Sequence, residues 1–287
     1  MIPSEWLHAF TVFAEDANLS RAAKRLALSQ PAVHAQLRRL SELLGVPLYR
    51  RVGRGLALTR EGIEVAAFAR GAEERSREFV ARLRGEETDR RIVVTAGAGA
   101  LLHVIAEGLR AFARTYDGRL EFVTADAAAA VDATQSGAAH VGVAALGAAP
   151  DSLVSYRLAE VRQVLVMPRD HRLARRRRVR LGELAGERLV LPPAGRPQRA
   201  VLDAALAGVG VRVGAIASGW DVVLRLVELG VGIAVMNSNV PVPRGLLART
   251  LNELPVVRYF VFTRPHPRAD VVTCVDALVR HAACAAS

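Results

Sequence analysis

Cysteine is scarce in this chain and lysine scarcer still. Two cysteines in 287 residues, Cys274 and Cys284, exclude a disulfide framework and any zinc site built from several thiolates. They read as small core hydrophobes in a reducing compartment. Of the 39 Lys and Arg residues only Lys24 is a lysine. So strong a bias toward arginine reflects a GC-rich coding sequence as much as a demand for guanidinium groups. The net charge of +11 therefore admits a nucleic-acid partner without establishing one. No run of about 18 uncharged apolar residues is present; the longest stretch, 122–150, is broken by Asp126, Asp132 and His140. The first ten residues lack the basic start and apolar centre of a secretory signal. These absences point to a soluble, cytoplasmic protein with no membrane partner. No Ser/His/Asp, paired-carboxylate or metal-ligand constellation stands out among the seven histidines, so neither an enzyme nor a metal or cofactor site is expected.

What is present is ample core material: 51% hydrophobic and 23% charged residues, over a length that suits two domains. Charge is unevenly spread. Residues 1–60 hold 9 Lys/Arg against 4 Asp/Glu, residues 61–90 hold 6 against 8, and residues 91–287 hold 24 against 16. Per residue, the first segment is about twice as basic as the last.

That first segment, 1–59, reads as an all-α winged helix-turn-helix domain. Trp6, Phe10 and Phe13 recur at helical spacing, and Ser20 is a candidate N-cap for a short helix. Ser29 is a second candidate, with Pro31 in the first turn, where its missing N–H costs nothing. Val33, Leu37, Leu40 and Leu44 then form one buried stripe that Gly45 ends. The facing stripe presents His34, Ala35 and Arg38, with Gln30 at the N-terminal end. Gln suits an adenine edge, Arg a guanine or a phosphate, and the helix start a phosphate. Two apolar runs around Arg50, Arg51 and Arg54 fit a β-hairpin wing.

Thr59 caps a long helix in the next segment, 60–90. Its Val65, Phe68, Ala72, Ser76, Phe79 and Leu83 repeat at spacings of 3 and 4, a coiled-coil-like seam expected to make a dimer; residues 85–90 read as a hinge. From residue 91 the pattern alternates strands (92–96, 120–124, 140–145, 163–167, 188–191, 232–236, 256–263) with helices (101–115, 127–136, 198–207, 221–229, 268–283). An α/β domain of two lobes with parallel strands is expected, divided as 91–162 plus 264–287 and 163–263. Its ligand belongs at the carboxyl ends of the strands.

Residues 18–33 (NLSRAAKRLALSQPAV), 43–51 (LLGVPLYRR) and 58–62 (LTREG) resemble the LysR-type transcriptional regulators, as do 168–174 (PRDHRLA) and 227–234 (VELGVGIA). The resemblance covers essentially the whole chain. It implies a winged helix-turn-helix, a linker helix and a bilobal effector domain of the periplasmic-binding-protein type. It also implies a homo-oligomer, dimer or tetramer, that binds double-stranded promoter DNA under control of a small effector, with RNA polymerase a further partner if the protein activates. Carried over by position, Ser20, Arg21, Ser29, Gln30, Pro31, His34, Arg38, Arg50, Arg51 and Arg54 form the DNA-binding set. His34 stands where the family often has serine, and Ala35 where the residue varies.

Gly97 and Gly99 follow a strand and open a helix, with Asp126 ending the next strand, the layout of a dinucleotide site. A nicotinamide-dependent oxidoreductase is thus the rival reading, although Leu102 occupies the third glycine position and would obstruct helix–strand packing. A stand-alone small-molecule-binding protein is the third. In the family the same turn offers hydroxyls to the effector. The expected effector set is Gly97, Ala98, Gly99 and Thr124 on one side, and Arg196, Ser218 and Trp220 on the other. Arg196 suits an anionic ligand, and the run of four arginines at 175–178 reads as a solvated turn.

Overall fold

The computed structural model describes residues 2–53, 55–83 and 90–282, without the side chains of 74, 75, 77, 78 and 81–83. The N-terminal unit comprises α1 (Ser4–Ala14), α2 (Leu19–Leu26), α3 (Gln30–Leu44) and the antiparallel hairpin β1 (Tyr49–Val52) and β2 (Gly55–Leu58). The long helix α4 (Arg60–Leu83) follows. Phe10, Phe13, Val33, Leu37, Leu40 and Leu48 are fully buried and form the core of this unit. Local signals set the helix ends. Ser29 Oγ accepts from the Ala32 N–H at 3.3 Å, and Gly45 in the left-handed region closes α3. At α2 the cap differs from expectation: Asn18 Oδ1 accepts from the Arg21 N–H at 3.0 Å, and Ser20 lies in the first turn.

Thr59 caps α4 as expected. Its Oγ1 accepts from the Gly62 N–H (3.0 Å) and donates to the Pro47 carbonyl (2.7 Å). A Cβ at Gly62 would fall 1.8 Å from the Leu48 carbonyl oxygen, so only glycine lets α4 lie this close to the chain entering the wing.

The C-terminal unit has two five-stranded sheets. The first contains β3 (Arg91–Ala96), β4 (Arg119–Thr124), β5 (Val141–Ala145), β6 (Val154–Val161) and a strand returning late in the chain. Its helices are α5 (Ala98–His103), α6 (Ala106–Ala113) and α7 (Ala127–Ser136). The second sheet contains β7 (Gln163–Pro168), β8 (Arg188–Leu191), β9 (Arg212–Ile216), β10 (Ile233–Asn237) and β11 (Leu246–Thr250), with α8 (Pro197–Ala205) and α9 (Trp220–Glu228). The chain then returns through β12 (Val257–Thr263) and α10 (Ala269–Ala282) to the first lobe. Strand orders are β4-β3-β5-β12-β6 and β11-β7-β10-β8-β9.

Four expectations are corrected. The sheets are mixed: β12 runs antiparallel to β5 and β6, and β7 antiparallel to β10 and β11. The strand expected to end the second lobe, β12, belongs to the first, so the return crossing precedes Val257. The helix expected over 101–115 is two helices, α5 and α6, separated at Val104 and Ile105. Strands β6, β9 and β11 were not anticipated. Of the expected hinge, only Arg90 is among the described residues.

Cys274 is fully buried in the first-lobe core, and burial pushes its thiol pKa up to about 12. Cys284 lies outside the described residues. In native protein, Cys274 is expected to resist a water-soluble thiol reagent and to react at full rate once denaturant is added. Rapid labelling of Cys274 before unfolding would contradict this packing.

Candidate nucleic-acid interface and effector cleft

Because Val33, Leu37 and Leu40 point inward, helical geometry turns Gln30, Pro31, His34, Ala35 and Arg38 outward, and all are exposed along with Ser29, Ser20 and Arg21. Ser20 Oγ donates to Gln30 Oε1 at 3.1 Å, tying α2 to the start of α3 and orienting the amide. One lone pair of Oε1 and both N–H groups of Gln30 remain for a base edge.

Charges on this face divide into two groups. Arg21 lies 3.0 Å from Asp16, Arg25 pairs with Glu15, and Arg38 lies 2.7 Å from Glu42. The hydrogen bond and the charge of Glu42 hold the Arg38 pKa above its ordinary value. Among the described residues, Lys24, Arg39, Arg50 and Arg51 carry no carboxylate partner. Two of these are the wing arginines, both exposed. Arg54 lies outside the described residues.

Helix α4 uses its small residues Gly62 and Ala66 to pack on the N-terminal unit, assisted by the 2.9 Å contact of His8 Nδ1 with Glu73 Oε1. Its expected seam is divided. Val65 is half-buried against the winged-helix core and Ala72 is half-buried. Phe68 and Phe79 are 48% and 51% exposed. The Leu83 side chain lies outside the described residues. Ile63 and Val80 add to the exposed apolar surface. Near the middle of α4, the Arg70 guanidinium donates to the carbonyls of Gln135 (3.4 Å) and Ser136 at the end of α7. That position suits a cation, since helix carbonyls converge there. Burial, followed by repulsion from Arg264, lowers the Arg70 pKa.

Of the expected effector residues, Gly99 and Trp220 meet across the two lobes. Gly97 precedes α5 without a side-chain cap, and Thr124 ends β4, whose register sets Ala96 opposite Thr124. Gly99 lies directly beneath the Trp220 indole: a Cβ there would stand 2.7 Å from Nε1. Arg196 Nη1 lies 3.4 Å from Asp126 Oδ2. Ala98 and Ser218 are exposed, with no hydrogen bond from the Ser218 side chain among the described residues. Asp126, His103, Asp221 and Asn239, which no local sequence signal ties to this cleft, stand with them. Asn239 Nδ2 donates to the His103 carbonyl at 2.9 Å, and burial lowers the His103 imidazole pKa against the opposing pull of Asp221. The arginine run at 175–178 sits far along the second lobe, where Arg176 pairs with Glu183 at 3.3 Å.

The model "Bacterial regulatory helix-turn-helix protein, lysR family" matches residues 4–63, and "LysR substrate binding domain" matches residues 85–283. The HTH-type transcriptional regulator TfdS of Cupriavidus pinatubonensis is 30% identical over 252 residues, 85% of each chain. The RuBisCO operon transcriptional regulator of Allochromatium vinosum is 27% identical over 239 residues, 80% of this chain and 78% of its own. Among solved structures, a full-length OxyR variant from Pseudomonas aeruginosa superposes with a TM-score of 0.64 at 17% identity, covering 98% of this chain and 95% of that one. CbnR complexed with its target DNA gives 0.55 at 22% identity, covering 98% and 99%. These relatives are regulators, not oxidoreductases. The chain belongs to the LysR family of DNA-binding transcriptional regulators, with an N-terminal helix-turn-helix and a C-terminal effector-binding domain.

Proposed function

We propose that α3 enters the major groove of promoter DNA, with Gln30, His34 and Arg38 toward base edges. Ser20, Arg21, Ser29 and Pro31 then lie along the backbone, and Arg50, Arg51 and Arg54 hold phosphates or the minor groove as a wing. The observation that carries this reading is the pair of wing arginines without carboxylate partners, beside a helix whose exposed stripe begins at Gln30. The solved relative CbnR is recorded with its target DNA, which favours the same mode of docking here. Footprinting the full-length protein on the intergenic DNA beside its own gene tests it. A protected site of two half-sites is expected, and its absence with and without cell metabolites would overturn the reading.

The cleft lined by Gly97, Ala98, Gly99, Thr124, Arg196, Ser218 and Trp220 is proposed to hold a small anionic effector, with no further cofactor. Binding there would bias the arrangement of subunits on DNA. RNA polymerase becomes a further partner if the protein activates, and work on chromosomal DNA puts it in the cytoplasm. Subunits are proposed to join through the seam of Val65, Phe68, Ala72, Phe79 and Leu83, supported by the apolar surface that Phe68 and Ile63 present. Phe68→Asp is therefore expected to shift the protein toward monomers in analytical ultracentrifugation and to weaken promoter binding, because one half-site must then hold alone. An unchanged sedimentation profile would remove Phe68 from the interface.

A further inference from the structure

Two contacts bridge the cleft from lobe to lobe. Trp220 rests on Gly99, where even a methyl group would come within 2.7 Å of Nε1 and 2.9 Å of Cδ1. Asp126 likewise reaches Arg196 across the lobes. The same Asp126 caps α7, its Oδ1 accepting from the Ala129 N–H at 3.0 Å, so its carboxylate is held in place by the helix it begins. Both partners of the ion pair are about half exposed, which makes the pair weak and readily exchanged.

We propose that the cleft is closed by its own side chains: Trp220 seated on Gly99 is a plug, and Asp126 on Arg196 a latch. Resting on the reading of this cleft as the effector site, the device names what an effector must do. Its anionic group takes the place of the Asp126 carboxylate on Arg196, and its body lifts the indole from Gly99. Gly99 is then the position that determines specificity, since any side chain there holds the plug out. The internal carboxylate competes with the effector, so apparent affinity falls by the fraction of molecules in which the latch is closed.

The test needs neither DNA nor effector. The chain has two tryptophans, Trp6 and Trp220, so full-length protein carrying Trp6→Phe reports on Trp220 alone. Gly99→Ser is expected to shift Trp220 emission to the red and raise its acrylamide quenching several-fold, with Gly99→Ala a smaller step in the same direction. Asp126→Asn keeps the helix cap, because Asn accepts the same N–H, and removes only the charge. It and Arg196→Gln are each expected to raise the population with a lifted indole by up to about five-fold. The double variant should gain no more than either single one, because both remove the same contact. Quenching unchanged by Gly99→Ala with folding intact by circular dichroism overturns the plug; additive effects of Asp126→Asn and Arg196→Gln overturn the latch. Loss of promoter binding with these responses intact would count against the proposed function alone.

Discussion

Replacing Arg50 and Arg51 together by alanine weakens promoter binding on every DNA sequence and flattens its salt dependence. Removing one phosphate interaction lowers the slope of log affinity against log salt by about 0.9, so removing two from each of the two subunits on a site lowers it by about 3.6. The wing pair is singled out by its neighbours. Arg21, Arg25 and Arg38 are matched by Asp16, Glu15 and Glu42, and must give up a carboxylate to take a phosphate. Arg50 and Arg51 have no such exchange to make, so their whole charge is available for displacing counterions. Gln30→Ala behaves differently: about 1–3 kcal/mol, or roughly 5–150-fold, is forfeited at the base pair it reads, with no change of slope. Fluorescence anisotropy on specific and scrambled duplexes at several salt concentrations separates the two. A salt slope unaltered by the wing substitutions would place the wing away from the DNA backbone.

The parts of the fold legible in the sequence are those set by local chemistry. Ser29, Pro31 and Gly45 mark the ends of α3, and the stripe of Val33, Leu37 and Leu40 faces the core as its spacing requires. Asn18 rather than Ser20 caps α2 because both are good caps two residues apart, and only the backbone path decides which one faces the free N–H. The unanticipated strands share one property: β6, β9 and β11 all lie at sheet edges. There one side of the strand has no neighbour and burial is patchy, as in Arg212–Ile216, where no residue is fully buried. Without alternating burial the sequence carries no period of two. Mixed sheets are illegible in the sequence for another reason, since strand direction depends on how the chain crosses between lobes at residues 161–163 and 250–257. In the cleft, single residues were legible and their partners were not. Arg196 stands out beside a helix start, but nothing local ties it to Asp126, nor Gly99 to Trp220.

Phe13→Ala is expected to abolish DNA binding by a route unrelated to charge. The Phe13 ring is fully buried, 6.1 Å from the Phe10 ring and edge-on to Tyr49 at 5.2 Å, so it joins α1 to the first strand of the wing. Removing it leaves a cavity between two elements that cannot collapse together without moving the wing, at a cost of about 3–5 kcal/mol. A unit of some 60 residues buries too little surface to absorb such a loss, because its whole stability is on the order of 5 kcal/mol. Calorimetry should therefore show the N-terminal transition displaced to much lower temperature while the transition of the two-lobed domain stays in place, and binding should fail at low salt as well as high. Failure at low salt distinguishes this variant from the wing substitutions, whose deficit shrinks as salt is removed and the remaining contacts strengthen. An N-terminal unit that keeps its melting temperature without Phe13 would mean that α1 is held to the wing by something other than this ring.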